Sequence, residues 1–450
     1  MDTVTNQYSK SILKKQRNYN EQIEVEITEN LFDIPLNDVF LLAERQNKKR
    51  KFLFVSPLLG KHLAIKPQVL FTVGQALAYC LNFTIGSFKD IQEENRLEKK
   101  FNREVFSTLD TCEITNKYEG ESLLFLGFAE TATALGQVVY QCFTNTQYVH
   151  TTREHIKNKE PIFTFEEEHS HAVDQLCYFD QTYVNNNKTI VLVDDEITTG
   201  KTALNIIKSI HKMFPRKRYI VLSILNWISE EAQKSINSLE KELDIEIIFL
   251  SLVKGNIVGE DTLLIEENHS YSLQENDDKN KKISYHSIYE KFTKKNNFIY
   301  TGKSSTHLSI TGRFGIKSAQ NDNILSYAKE VAEYISNKTS STKTLCIGTG
   351  EFMYLPLLVT KHLTFDCRFQ ATTKSPIIPK RTENYPIKSR HEFKNPEISS
   401  ETNYLYNLKN IEEKQVIVFL EKNLKDVDLK GLSSILKTLN FVEIHFVSFM

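Results

Sequence analysis

Residues Val191 to Thr202 read VLVDDEITTGKT, and the order of residue types in that stretch decides the fold. An apolar run ends in two acids, Asp194 and Asp195. Thr198, Thr199 and Gly200 follow, then Lys201 and Thr202 open an amphipathic helix with Ala203, Ile206, Ile207, Ile210 and Met213 on one face. A buried strand that runs straight into a helix belongs to an open parallel sheet, where ligands bind at the C-terminal ends of the strands. The start of such a helix offers free N–H groups and the positive end of its dipole, a natural seat for a phosphate. Hydroxyls of Thr198, Thr199 and Thr202 add donors, and Gly200 lets the backbone come close to the anion.

Two carboxylates would repel that phosphate unless they face something else. Vicinal ribose hydroxyls are such a partner, since a carboxylate accepts O–H bonds. A 5-phosphorylated ribose therefore suits the pair and the cradle together. Taken alone, Asp-Asp at a strand end reads as a helix cap and a solvated acid; the whole ordered segment does not. Gly200-Lys201-Thr202 also matches the end of a nucleotide P-loop. That loop needs glycine five positions earlier, and Asp195 stands there.

Working outward, Leu123 to Phe128 reads as a strand that enters Gly127-Phe128-Ala129-Glu130-Thr131-Ala132-Thr133 and a helix through Gln141. Tyr148-Val149 is a short strand, and 153–171 a long polar loop. Ile220 to Leu225 and Ile245 to Val253 are further strands with a helix between them. On the N-terminal side, Val69 to Leu81 reads as a helix behind Phe52 to Leu59, an apolar run that ends at Gly60-Lys61-His62. Alternation of this kind predicts an α/β protein: a Rossmann-like parallel-sheet domain followed by a second α/β domain. The expected division is a loosely held polar segment at 1–30, a first domain at 31–265 (hood 31–120, core 121–265), a connector at 266–323 and a second domain at 324–450.

The second domain repeats part of the first. Gly348 and Glu351 in GTGE lie 221 positions beyond Gly127 and Glu130 in GFAE. The same step carries Thr151, Thr152 and Arg153 onto Thr372, Thr373 and Lys374. Five matches can arise by chance, or by duplication or convergent reuse of one layout. The later strand Val416 to Leu420 ends in Glu421-Lys422-Asn423, with neither an acid pair nor a Thr-Gly turn.

Formal net charge is −1, which gives no general attraction to nucleic acid or to an anionic membrane. Six cysteines are scattered with no C-x-x-C pair, so buried thiols are expected rather than a zinc knuckle or redox pair. The N-terminus has no apolar signal core, and no run of about 18 apolar residues occurs. A reducing cytoplasm is the expected setting.

VLVDDEITTGKT resembles the phosphoribosyl-pyrophosphate motif of type I phosphoribosyltransferases. The chain looks like the orotate-type phosphoribosyltransferase-like proteins found with bacterial tellurite-resistance and stress gene clusters, which carry a C-terminal domain named for a T-R-S-P signature. Here the signature reads Thr373-Lys374-Ser375-Pro376, with Lys in place of Arg. FLFVSPLLGKH (Phe52 to His62), GFAETATALGQ (Gly127 to Gln137), HTTRE (His150 to Glu154), EEHSHA (Glu167 to Ala172) and GTGEFMYLPL (Gly348 to Leu357) share the resemblance. It implies that Asp194 and Asp195 hold the ribose hydroxyls, that Thr198, Thr199, Gly200, Lys201 and Thr202 hold the 5-phosphate, and that Ala129, Glu130, Thr131, Ala132 and Thr133 contact pyrophosphate. It also implies a mobile loop that carries Arg153, Lys157, Lys159, His169 and His171. Arg153 joins the two acids in catalysis on this reading. Mg²⁺ is the implied cofactor, phosphoribosyl pyrophosphate and an unidentified nitrogenous base the implied partners, and a homodimer an expectation of the same kind. A non-catalytic sensor of the same ligand is the other class; the intact loop from Arg153 to His171 favours an enzyme.

His150, His155, His169 and His171 lie close together, without a strict metal-ligand spacing. They read as phosphate-facing loop residues, as surface histidines, or as a metal site. Gly60-Lys61-His62 reads either as part of a hood over the acceptor or as a turn with a solvated lysine. Thr311-Gly312-Arg313-Phe314-Gly315 reads as a tight turn that presents an arginine, with no role assigned.

Overall fold

A computed structural model describes residues 23–46, 51–85, 118–156, 159–165, 175–258, 281–292, 307–409, 411–424 and 426–450, and the backbone of a strand at 14–17. Two mixed α/β regions are present, each built on a parallel sheet. In the first, the strands Glu246–Val258, Arg218–Asn226, Thr189–Val193, Leu123–Gly127 and Gln147–His150 lie side by side and parallel. Antiparallel strands Glu24–Asn30 and Ile316–Lys317 border them. In the second, Lys282–Ser287, Glu443–Ser448, Gln415–Leu420, Thr344–Gly348 and Cys367–Ala371 are all parallel.

The period of two along each strand sorts the side chains between layers. Leu123, Phe125, Val191, Val193, Ile220 and Leu222 point one way from the first sheet, into an apolar cluster that also takes Cys346, Ile417, Phe419 and Val447 of the second. Between the sheets lie four helices: Pro67–Thr84, Ala132–Tyr140, Asn321–Ser336 and Tyr354–Lys361. They touch within and across the two regions. The Pro67–Thr84 helix is apolar almost all round, as a helix packed on every side must be. Pro67 occupies its first turn, where a missing N–H costs nothing. The outer face of the first sheet is covered by Lys201–Met213 and Glu230–Leu243, and that of the second by Asp426–Thr438.

Three segments differ from the sequence reading. Residues 24–30, expected to be loosely held, form a strand with Val25 and Ile27 buried; flanking glutamates hide its short alternation. The connector is partly structured: Lys282–Ser287 joins the second sheet, and Ile316–Lys317 borders the first. Within the polar loop, Phe163–Phe165 pairs with Gln175–Cys177 and buries Phe163 and Phe165. Two aromatic residues two positions apart are too faint a pattern to announce a strand.

Candidate active site

Asp194 and Asp195 stand at the C-terminal end of the Thr189–Val193 strand, in the middle of the first sheet. Asp194 N–H donates to Leu222 O at 3.0 Å, and Asp195 O accepts from Ile224 N at 3.2 Å, so the backbone remains anchored to the neighbouring strand. Asp194 Oδ1 accepts from Asp195 N at 2.9 Å. Glu196-Ile197 continues the pairing against Leu225-Asn226. Gly200 then turns the chain with φ of 73°. That left-handed conformation is one an L side chain adopts only with strain, which explains glycine at this position. Thr199 Oγ1 accepts from Lys201 N at 3.3 Å, and the helix Lys201–Met213 starts. Ala203, Ile206, Ile207 and Ile210 are buried on the sheet, while Lys201 is exposed. Asp194, Asp195, Thr198, Thr199 and Thr202 are all partly exposed, on one edge.

Lys61 reaches this edge from the loop after Phe52–Val55, with Nζ 3.6 Å from Asp195 Oδ2. Burial pushes the Asp195 carboxyl up, but Lys61 and the Asp194 hydrogen bond outweigh it and hold the group below the ordinary carboxylate value. The Gly60-Lys61-His62 turn does not leave its lysine solvated: the side chain is 17% exposed and touches the acid pair, a contact that neither reading of the turn included.

The Gly127–Thr133 turn lies beside the acids, because Gly127 pairs with Val193 in parallel register. Phe128 N–H donates to Val193 O at 3.1 Å. A Cβ on Gly127 would come within 2.6 Å of Ala132 O and Tyr148 OH, so no larger residue fits. The Ala129–Glu130 peptide bond is cis. Ala129 N donates to Thr151 Oγ1 at 2.8 Å, Gln175 Nε2 donates to Ala129 O at 2.8 Å, and Thr151 and Gln175 bond each other. Glu130 is buried; its Oε2 takes Thr373 Oγ1 at 3.5 Å, and its Oε1 has no partner. Thr131 and Ala132 are buried too, and Thr133 Oγ1 donates to Glu130 O at 2.9 Å. Gln175 went unnoticed in the sequence, where an isolated glutamine carries no signal.

Arg153 follows the Gln147–His150 strand, two strands along the sheet from the strand that carries the acid pair. Its N–H donates to Glu351 Oε1 at 2.6 Å, and Thr152 Oγ1 donates to Glu351 Oε2 at 2.6 Å. Arg153 thus borders a cavity shared with Glu130, Glu154, Gly350, Glu351 and Lys374. Lys159 lies over the Phe314 ring at 4.1 Å. Lys157, His169 and His171 fall outside the described residues. His150 is not a loop residue: it is buried, and burial together with Arg313 lowers its imidazole to about 3. Its Nδ1 lies 2.7 Å from Thr151 O.

The matching edge of the second sheet has a different chemistry. Arg313, 1% exposed, bonds Glu421 at 3.0 and 3.1 Å and lies 3.6 Å from Glu351. Lys422 links Glu154 at 2.5 Å and Glu397 at 2.6 Å. Burial, then the nearby Glu154, pushes the Glu397 carboxyl up to about 7. The arginine expected at the tip of a turn is thus turned inward, into acids that no sequence spacing connects.

An acid pair, a glycine-capped helix start and a neighbouring small-residue turn thus share the C-terminal edge of one parallel sheet, the place where open α/β sheets bind ligands. Residues 39–256 match the family described as phosphoribosyl transferase, and residues 310–436 match the TRSP domain that lies C-terminal to it. The chain belongs to that family of phosphoribosyl transferase domains followed by a TRSP domain. No curated protein matches it. Among solved structures it is similar to adenine phosphoribosyltransferase of Trypanosoma brucei, with 17% identity, 34% of this chain and 62% of that one covered, and a TM-score of 0.22. The Saccharomyces cerevisiae adenine enzyme shares 11% identity over 48% of this chain and 95% of that one, at 0.26. A hypoxanthine phosphoribosyltransferase from Staphylococcus aureus shares 15% over 28% and 62%, at 0.18. The chain thus spans 62% of the length of the Trypanosoma enzyme. Likenesses of this size carry nothing about substrate. Among the described residues no helix is long and apolar enough to cross a membrane.

Proposed function

We propose that the chain is a phosphoribosyltransferase that transfers ribose 5-phosphate from phosphoribosyl pyrophosphate to a nitrogenous acceptor. The observation that carries this is the joint placement of Asp194 and Asp195, the Gly200-capped helix start and the Gly127–Thr133 turn on one sheet edge. Asp194 and Asp195 accept hydrogen bonds from the ribose 2′- and 3′-hydroxyls. Thr198, Thr199, Gly200, Lys201 and Thr202 hold the 5-phosphate, and Ala129 to Thr133 hold the pyrophosphate. In the reaction the bond from C1 to the pyrophosphate oxygen breaks and a bond from C1 to the acceptor nitrogen forms on the opposite face. Pyrophosphate leaves with the electron pair, and the acceptor gives up a proton.

The donors at this edge are carboxylate and hydroxyl oxygens, the set a hard cation prefers. Mg²⁺ fits them, and when bound it supplies charge neutralisation on the pyrophosphate. Arg153, Lys157, Lys159, His169 and His171 serve as the closing loop that keeps water from the reacting carbon. A homodimer and a cytoplasmic setting belong to the same proposal. The units proposed are a transferase at 31–265, a connector at 266–323 and a second α/β unit at 324–450.

The test is pyrophosphate release from phosphoribosyl pyrophosphate with Mg²⁺ and a panel of purines, pyrimidines and pyridines. Acceptor-dependent release supports the enzyme. Tight binding without release for any acceptor points to a sensor instead, and absence of binding overturns both.

A further inference from the structure

The two sheets repeat one another far beyond the five residues visible in sequence. Leu124 faces Gln147 and Gly127 faces His150; Leu345 faces Arg368 and Gly348 faces Ala371, each 221 positions on. Thr151 N donates to Gly127 O at 3.0 Å, and Thr372 N to Gly348 O at 2.9 Å. Ala129 N donates to Thr151 Oγ1 at 2.8 Å, and Gly350 N to Thr372 Oγ1 at 2.8 Å. Each outer strand is bordered by an antiparallel partner, Ile316 on Tyr148 and Ile65 on Phe369. Ahead of each partner comes a left-handed glycine, Gly312 and Gly60, whose carbonyl accepts from His150 N and Ala371 N. A basic residue follows each glycine and reaches an acid: Arg313 to Glu421 at 3.0 Å, Lys61 to Asp195 at 3.6 Å.

The contacts are also exchanged. The loop around Gly60 precedes the parallel strands of the first sheet in the chain, yet borders the second; the loop around Gly312 borders the first. Thr152 of the first unit bonds Glu351 of the second, and Thr373 of the second bonds Glu130 of the first. Residue i meets j′ while j meets i′, which is the signature of a two-fold interface.

We infer that the chain is two copies of one unit paired about an internal two-fold axis, and that the second copy positions the pyrophosphate loop of the first through Thr373 and Lys374. The second copy's own edge is closed. Where the first has the open stretch from Asp195 to Gly200, the second has Glu421 and Lys422 tied to Arg313, Glu154 and Glu397. A phosphate entering there would meet the carboxylates of Glu351, Glu397 and Glu421, whose side chains are 7%, 9% and 2% exposed, and the strand that ends at Leu420 has no Thr-Gly turn after it. The first copy depends on the second instead. Thr373 supplies a hydroxyl to the buried Glu130 carboxylate, and Lys374, the counterpart of Arg153, lines the same cavity as Glu130 while it holds Glu401 at 2.6 Å. Because one apolar cluster runs through both copies, neither half is a candidate for separate expression, and the test uses the full chain.

The inference rests on the proposed function, so two readouts are needed. Calorimetry with phosphoribosyl pyrophosphate and Mg²⁺ on the wild-type chain gives one site per chain, and the double change Asp194→Asn, Asp195→Asn weakens it at least about tenfold. Two sites per chain would overturn the closed second edge. Thr373→Val and Lys374→Ala each raise KM for phosphoribosyl pyrophosphate by about tenfold, the scale of stranding or loosening a buried acid, with acceptor KM unchanged. Thr373→Ser and Lys374→Arg restore the wild-type KM, which a packing defect would not allow. A wild type that binds while Thr373→Val and Lys374→Ala leave KM unchanged overturns this inference alone. A wild type that does not bind overturns the function, and the inference with it.

Discussion

Lys61 Nζ lies 3.6 Å from Asp195 Oδ2, although the two residues belong to different segments and the lysine follows a loop that packs on the other sheet. The contact keeps Asp195 ionised against the cost of its partial burial. Replacing Lys61 with Met removes the cation and most of its effect. The Asp195 carboxyl then rises, and the acid limb of kcat/KM moves to higher pH. A pH profile of the variant checks this, and an unmoved limb would show that Lys61 does not govern Asp195.

Asp194→Asn with Asp195→Asn removes charge and little volume. Two charge-assisted hydrogen bonds to the ribose weaken, each by roughly 1.5–3 kcal/mol. Affinity for phosphoribosyl pyrophosphate falls at least about tenfold with an unchanged circular dichroism spectrum. Equal affinity in the double variant would remove the ribose assignment.

Turnover requires Mg²⁺ or Mn²⁺ and survives a zinc-selective chelator, since the proposed ligands are oxygens. Assays with each metal restored to stripped protein decide the matter. Inactivation by zinc removal alone would direct attention to the histidines instead.

Arg313→Ala leaves Glu421 and Glu351 buried without their cation. Breaking a buried ion pair from one side costs about 3–5 kcal/mol, so the urea midpoint falls steeply. A loss under about 1 kcal/mol, the size of a surface pair, would mean that water reaches this network.

His150 is neutral in the fold, with its imidazole lowered to about 3 from an ordinary 6.5 by burial and Arg313. The unfolded chain takes up a proton that the folded chain refuses, so stability is complete above 6.5 and declines as pH falls toward 3. His391, lowered to about 4 by burial and Lys409, acts in the same direction. Thermal midpoints between pH 7 and 4.5 should fall, and fall less in His150→Gln, which cannot take up that proton. Parallel curves for the two proteins would assign the decline to other groups.

Much of the fold was legible from residue order. The run from Val191 to Thr202 prescribes a strand, an acid pair and a glycine-capped helix because each is a local consequence of residue type and spacing. The alternating elements around it likewise prescribe two α/β regions. Element ends were read within a few residues: Ile220 to Leu225 is the inside of the strand Arg218–Asn226, and Val69 to Leu81 the inside of the helix Pro67–Thr84.

Contacts between distant segments had no such signal. Nothing in Gly60-Lys61-His62 says that the lysine meets Asp195, and nothing in Thr311 to Gly315 says that Arg313 is buried among acids. A charge run usually faces water, so a buried arginine is visible only once its partners have been brought to it. The repeat of 221 positions lay in the sequence, but its five matches could not separate duplication from coincidence. Matching registers, the paired glycines and the exchanged Thr373–Glu130 and Thr152–Glu351 contacts separate them, because they depend on how two sheets pack around one shared layer of helices. Sequence order set the local elements and the chemistry at their ends; which edge stays open, and which is closed by ion pairs, was decided by packing across hundreds of residues, where no local propensity acts.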